Sequence, residues 1–260
     1  MKLIVICNKN TASVNIGKAL KSNYAELPES ATILELDANV LDLDKYKKKF
    51  DGLKPEIIIV LSSHASKANV DSFSIHPTGN FDTNDLGGNK KELSIAPALY
   101  LRTGLIDIHK HAKRRGCMEY QITIEATHHS PTFNHPIIFV EIGSNKNAWN
   151  DKLAADVLAD VVYDLIAKTA RAKGISAIGL GGNHYSPKFQ KMIETQNYAF
   201  GHICPKHKLD SLDDKMILEM ISKTIPKPEQ AVLDWKGMNS SQRKKIIDML
   251  ERNGINWVRT

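Results

Sequence analysis

Ile57-Ile58-Ile59-Val60-Leu61, running directly into Ser62-Ser63-His64-Ala65-Ser66, decides the fold class. The run is a strand's length and shows no polar alternation, so both faces of this strand must be covered. Leu3 to Cys7, Ile33 to Leu36, Ile137 to Ile142 and Ile175 to Leu180 are similar runs. Helical spacing occupies Ser13 to Ser22, Ile95 to Arg115 with Gly116 as its stop, and Ser240 to Arg252 before a short closing strand, Ile255 to Val258. The longest predicted helix runs from Ala148 to Lys173, with Asn147 as N-cap and Gly174 as a left-handed stop. Met118 to Glu125 alternates like a strand. Strands alternating with helices predict an α/β fold, a three-layer αβα sandwich around a mostly parallel mixed sheet. The 260 residues are expected to form one compact unit, 1–260. From Ser62 to Pro97 periodicity gives way to Ser, His, Asn, Asp and Gly, a long loop of the kind that carries function.

Hydrophobic residues at 42% and charged residues at 25% are ordinary for a globular chain. Cys7, Cys117 and Cys204 are too few and too scattered for a disulfide framework or a paired-cysteine metal knuckle. No run approaches a membrane span, and the first residues lack a signal-peptide cleavage site. A cytoplasmic protein with no membrane partner is expected. The net charge of +6 is unevenly spread, with clusters at Lys45 to Lys49, Arg102 to Arg115 and Arg243 to Lys245. Such clusters suit a polyanion such as RNA, although solvated lysine faces look the same in sequence.

The ten histidines are more telling, because most fall just after predicted strands, the edge where open α/β sheets bind ligands. They sit in Ser62-Ser63-His64, Ile75-His76-Pro77-Thr78-Gly79-Asn80-Phe81, Glu125-Ala126-Thr127-His128-His129-Ser130-Pro131, Gly181-Gly182-Asn183-His184-Tyr185 and Phe200-Gly201-His202. A lone histidine is more often a hydrogen-bonded loop residue than a catalyst, but five clusters at strand ends suggest a hydrolytic site. Period-two geometry through Glu125-Ala-Thr-His-His would turn His128 and His129 to opposite faces. Glu141, at the end of Phe139-Val140-Glu141, is a candidate base or metal ligand.

No HExxH, Walker A or GxSxG motif is present. Gly179-Leu180-Gly181-Gly182 fails as a dinucleotide fingerprint, because His184 stands where the third glycine belongs. Ser62 or Ser63 beside His64 leaves a serine nucleophile open.

In this order, nearly end to end, these segments together with Phe139-Val140-Glu141-Ile142-Gly143-Ser144 resemble the archaeal-type D-aminoacyl-tRNA deacylase family, which is also found in plants. Ser130 stands where that pattern usually has glycine, and Asn183 where a small residue is common. The resemblance implies a phosphorylase/hydrolase-like fold, a monomer without DNA as partner, and hydrolysis of the D-aminoacyl ester at the tRNA 3′ end. It also implies Zn2+. On that reading His64, Glu125, His128, His129 and Glu141 carry catalysis, and His128, His184, His202 and Glu141 hold the metal. His76, Thr78, Asn80, Tyr185 and the amides of Gly143, Gly181 and Gly182 contact substrate. Arg102 and Arg114, with Lys113 and Arg115, would guide the acceptor stem. Two rivals remain: a metal-dependent small-molecule hydrolase of aminopeptidase or phosphorylase type, and a non-catalytic RNA-binding module.

Overall fold

A computed structural model describes residues 1–167 and 173–260. The main sheet contains β1 (Lys2–Cys7), β2 (Ala31–Leu36), β3 (Ile57–Ser63), β4 (Ser72–His76), β5 (Gln121–Ile124) and β6 (Ile137–Gly143). Its order is β2-β1-β3-β6-β4-β5. Every neighbouring pair is parallel except β6 with β4, so strand direction switches at that one seam. The expected α/β class with a mixed, mostly parallel sheet is what forms.

The uninterrupted apolar runs have the anticipated cause. Ile57, Ile59 and Leu61 pack on one face under α1 (Thr11–Asn23), α2 (Ala98–Arg115) and α3 (Lys152–Ala167). Ile58 and Val60 enter a second core with Leu43, Phe50 and Phe133. A further, wholly parallel sheet, ordered β8-β7-β9-β10, comprises β7 (Ile175–Leu180), β8 (Tyr198–Cys204), β9 (Gln230–Leu233) and β10 (Trp257–Arg259). Helix α2 packs against β4 and α3 and also against β8, so it joins the two sheets. The other face of the second sheet is covered by α5 (Asp214–Ser222) and α6 (Ser240–Arg252), after α4 (Pro187–Thr195) has linked β7 to β8. Among the described residues no helix is long and apolar enough to cross a membrane.

Three sequence expectations change. The supposed loop 62–97 contains β4, whose alternating Ser72-Phe73-Ser74-Ile75-His76 sends Phe73 and Ile75 into the core. The helix expected from Ala148 begins instead as a single turn, Lys146–Trp149, capped by the Asn145 side chain rather than by Asn147. The Asp151 carboxylate then accepts from the Leu153 N–H and starts α3. The remainder of that predicted helix, 168–172, lies outside the described residues. Phe200-Gly201-His202, expected in a loop, lies within β8.

His202 is fully buried, and burial is the main reason its pKa falls to about 3. The unfolded chain accepts a proton near pH 6.5 that the folded chain refuses until about pH 3. Stability is therefore complete above pH 6.5 and falls by up to about 1.4 kcal/mol per pH unit below it. Thermal melting of metal-free protein should show a lower Tm at pH 4.5 than at pH 7, and a flat profile would contradict this burial.

Candidate active site

The site forms where the main sheet switches direction. Glu141 in β6 lies opposite Ser62 of β3 on one side and Ser74 of β4 on the other, and Ser74 Oγ donates to its Oε2 at 3.4 Å. Glu125 is the first residue past β5, with its N–H bonded to the Ile75 carbonyl. Both carboxylates are buried, and a buried carboxylate stays charged only in cationic or hydrogen-bonding company. Histidines provide it. His184 Nε2 donates to Glu125 Oε2 at 2.9 Å. His64 Nδ1 lies 3.2 Å from Glu125 and 3.8 Å from Glu141. His76 Nε2 is 3.5 Å from Glu141, and His128 Nε2 is 3.6 Å from Glu125. Burial favours the protonated acids, but the His184 bond and the charge at His76 outweigh it at Glu125. His76, His129 and His64 do the same at Glu141, so both carboxyls titrate below their ordinary values.

His76, His128 and His129 share one further arrangement. Each turns its Nδ1 to a backbone carbonyl, of Pro77, Ala126 and Ser130 respectively. A carbonyl can only accept, so Nδ1 carries the proton and a neutral ring leaves Nε2 as a bare lone pair. Burial, reinforced by neighbouring histidines, depresses the pKa of His128 well below the ordinary value and that of His129 to about 4. The ring centroids lie 4.2, 4.4 and 5.0 Å apart, and one ligand nitrogen from each ring falls within 4.8 Å of the others. His76 Nε2 is buried with no hydrogen-bond partner. At His128 a lone pair faces an ionised carboxylate with no proton between them. At His76 the nearby carboxylates overcome burial and raise the pKa, so in the metal-free protein its Nε2 takes up a proton more readily, and a bound cation would displace that proton. This donor set fits a divalent cation such as zinc, since backbone carbonyls that fix the tautomer are the usual outer support of a histidine ligand.

Of the residues expected from sequence, His64, His76, Glu125, His128, His129, Glu141 and His184 come together. His128 and His129 do not face opposite ways, because β5 ends at Ile124 and His129 adopts a left-handed φ of 46° that breaks the alternation. His202 does not join them as a metal ligand. Its Nδ1 is engaged with Thr127 Oγ1 at 3.1 Å and its Nε2 with the Ser94 carbonyl at 2.9 Å, leaving no nitrogen free. Thr78 is buried and donates to the Pro131 carbonyl, so it supports the loop from below rather than facing substrate. Asn80 binds the carbonyls of Gly87 and Asn89 while lining a cleft. Gly143 provides clearance, since an added Cβ would lie 2.4 Å from Ser72 Oγ and 3.1 Å from His64 Cβ. Ser130 takes no left-handed φ, so this position does not require the glycine of the usual pattern.

Of the expected RNA guides, Lys113 is exposed while the three arginines are already committed. Arg102 donates to the carbonyls of Ile193 and Tyr198, while Arg114 and Arg115 pair with buried Asp160. Lys206 and Lys236, which the sequence reading did not single out, are exposed and have no carboxylate partner among the described residues. They border a cleft of about 660 Å³ with Gly182, Asn183, His184 and Lys188. Asp234, also missed, braces this cleft by accepting from Lys188 Nζ and the Gly237 N–H. Gly181 and Gly182, at φ of 102° and 78°, curl over it where a side chain would be strained. A second cleft, about 190 Å³, is lined by Asn80, His128, His129 and His184. A third, about 540 Å³, opens beside His64 and Tyr185. The first two share His184 as a lining residue, and the third is lined by its neighbour Tyr185.

Residues 51–258 match the family model described as D-aminoacyl-tRNA deacylase. A D-aminoacyl-tRNA deacylase of Methanocaldococcus jannaschii is 34% identical over 266 residues, covering 99% of this chain and 98% of its own. One from Ignicoccus hospitalis is 37% identical over 207 residues, covering 79% of this chain and 82% of its own. A crystal structure titled only as a conserved protein of unknown function superposes with a TM-score of 0.90 at 27% identity, covering 100% of this chain and 95% of that one.

Proposed function

The chain belongs to the D-aminoacyl-tRNA deacylase family, and from that premise we propose that the clefts bordering His184 and Tyr185 are where it hydrolyses the ester joining a D-amino acid to tRNA, releasing both. The observation that carries the reading is the buried, ionised Glu125 bonded to His184 beside three histidines that present bare Nε2 atoms.

His76, His128 and His129 would hold a zinc ion. Bound there, zinc supplies a Lewis acid for the ester carbonyl and its attacking water. The chain's own residues handle the protons. An ionised carboxylate only accepts, so His184 Nε2 bears hydrogen toward Glu125 and Nδ1 is the free nitrogen. His184 Nδ1 takes a proton from the attacking water, and Glu125 stabilises the resulting imidazolium and fixes the ring's orientation. The same nitrogen returns the proton to the ribose oxygen as it leaves. Glu141 keeps His76 and His64 in position.

Release of amino acid from D-tyrosyl-tRNA and L-tyrosyl-tRNA should be rapid for the D-ester alone and lost with a zinc chelator. Equal cleavage of both esters would end the deacylase reading, and full activity under chelation would end the metal reading. Lys206 and Lys236 suit the phosphates of the single-stranded 3′ end. K206E with K236E should weaken every substrate alike and flatten the dependence of log affinity on log salt by about 0.7 for each phosphate no longer neutralised. An unchanged slope would place the strand elsewhere. Because its substrate is charged tRNA, we assign the protein to the cytoplasm.

A further inference from the structure

We infer that the cleft beside Tyr185 and His64 receives the side chain of the D-amino acid, while the RNA strand approaches over the lysine-bordered cleft on the other side of His184. This inference rests on the deacylase reading. An aminoacyl ester has two arms of opposite chemistry at the scissile carbonyl: a polyanionic strand on the alcohol side, and on the acyl side a side chain that is usually uncharged and varies in size.

The three clefts differ in the same way. The one bordered by the unpaired Lys206 and Lys236, where Asp234 neutralises Lys188, is cationic and suits phosphates. The one under His128 and His129 is the smallest and carries Asp85 and Lys208 on its walls, which disfavours an apolar group. The third holds about 540 Å³ and has an apolar strip of Ala68, Val70, Ile122 and Pro187 among polar neighbours that include Gln121, Thr123 and Lys191, with Tyr185 at its inner end. Its one acid, Glu194, is already occupied by Gln190 and His109.

The chain's connectivity gives the direction. Asn183 and His184 line the cationic cleft, His184 bonds Glu125, and Tyr185 lines the apolar cleft. A substrate that crosses the turn from Asn183 to Tyr185 therefore passes from lysines, over the catalytic pair, to apolar walls. Tyr185 and His64 mark the inner boundary, with Tyr185 Oη 3.4 Å from His64 Nε2 and donating to Ser66 Oγ at 3.1 Å. The terminal adenine is the competing occupant. It belongs to the strand side of the ester, and the two rings at this cleft, Tyr185 tethered at its hydroxyl and His64 held beside Glu125, are both already engaged. A roomy, partly apolar cleft open to solvent would admit side chains of very different size.

The test narrows the cleft from its exposed wall, with Ala68→Trp and Val70→Trp made separately so that a folding failure in one leaves the other. kcat/KM is measured on D-tyrosyl-tRNA and D-alanyl-tRNA, with thermal melting to verify folding. The D-tyrosyl to D-alanyl ratio should fall at least tenfold in a folded variant. A ratio that stays put while both rates drop would assign the cleft to adenosine, and a ratio and rates that both stay put would leave the cleft outside the substrate path. Either result overturns the inference while the deacylase reading stands. Failure of the unmodified protein on both D-esters would instead remove the reading beneath it.

Discussion

Glu125→Gln is expected to reduce kcat for D-aminoacyl-tRNA hydrolysis by about 10²–10⁴-fold, the usual worth of an acid–base system. Gln keeps the shape of the side chain, and its carbonyl can still accept from His184 Nε2 across the 2.9 Å separation, so the ring should stay in place. What disappears is the negative charge that stabilises the imidazolium formed when His184 takes a proton. KM should change little, because Glu125 lies buried behind His184 rather than against the substrate. Zinc content should persist, since the three proposed ligands are untouched. A variant retaining more than about a third of the activity would remove Glu125 from the mechanism.

The second large effect separates the two histidine sets. His128→Ala and His129→Ala should each lower bound zinc by 10-fold or more and abolish turnover, because each removes one of three convergent Nε2 atoms. His202→Ala should retain zinc and still lose stability, by about 2–4 kcal/mol, because it empties a buried volume, takes from Thr127 Oγ1 one of its two partners and leaves the Ser94 carbonyl without its imidazole donor. Metal analysis alongside melting curves reads both quantities on the same samples. Zinc lost from the His202 variant but kept in the His129 variant would restore the ligand set expected from sequence alone.

His128 and His202 also show how far sequence reading reached. The strand-end clustering of histidines was visible, and six of the seven residues that converge lie in short motifs that set His or Glu beside Gly, Pro or Ser. Glu141 was found as the polar close of an apolar strand. In sequence, though, His202 looks just like His128, each standing near Gly or Thr after an apolar stretch. Only the pairing of β8 in the second sheet and the approach of Ser94 bury one, while the end of β5 leaves the other at the cleft. β4 was hidden because buried serines alternate with its apolar residues, and Ser74 serves Glu141. Arg102, Arg114 and Arg115 form a basic cluster along the chain, and Asp160, more than forty positions away on α3, neutralises two of them.

By itself the sequence determined the fold class, the boundaries of most long elements and the types of chemistry present. Those depend on local properties: apolar runs long enough to be covered on both faces, and capped helical periods. The tertiary structure alone decided which histidines share a metal-sized space, which nitrogen each presents, which carboxylate serves which ring and which lysines remain unpaired. Those outcomes depend on distances of about 3–5 Å between residues far apart in the chain, set by one antiparallel seam in a parallel sheet and by the helix that joins that sheet to a second one.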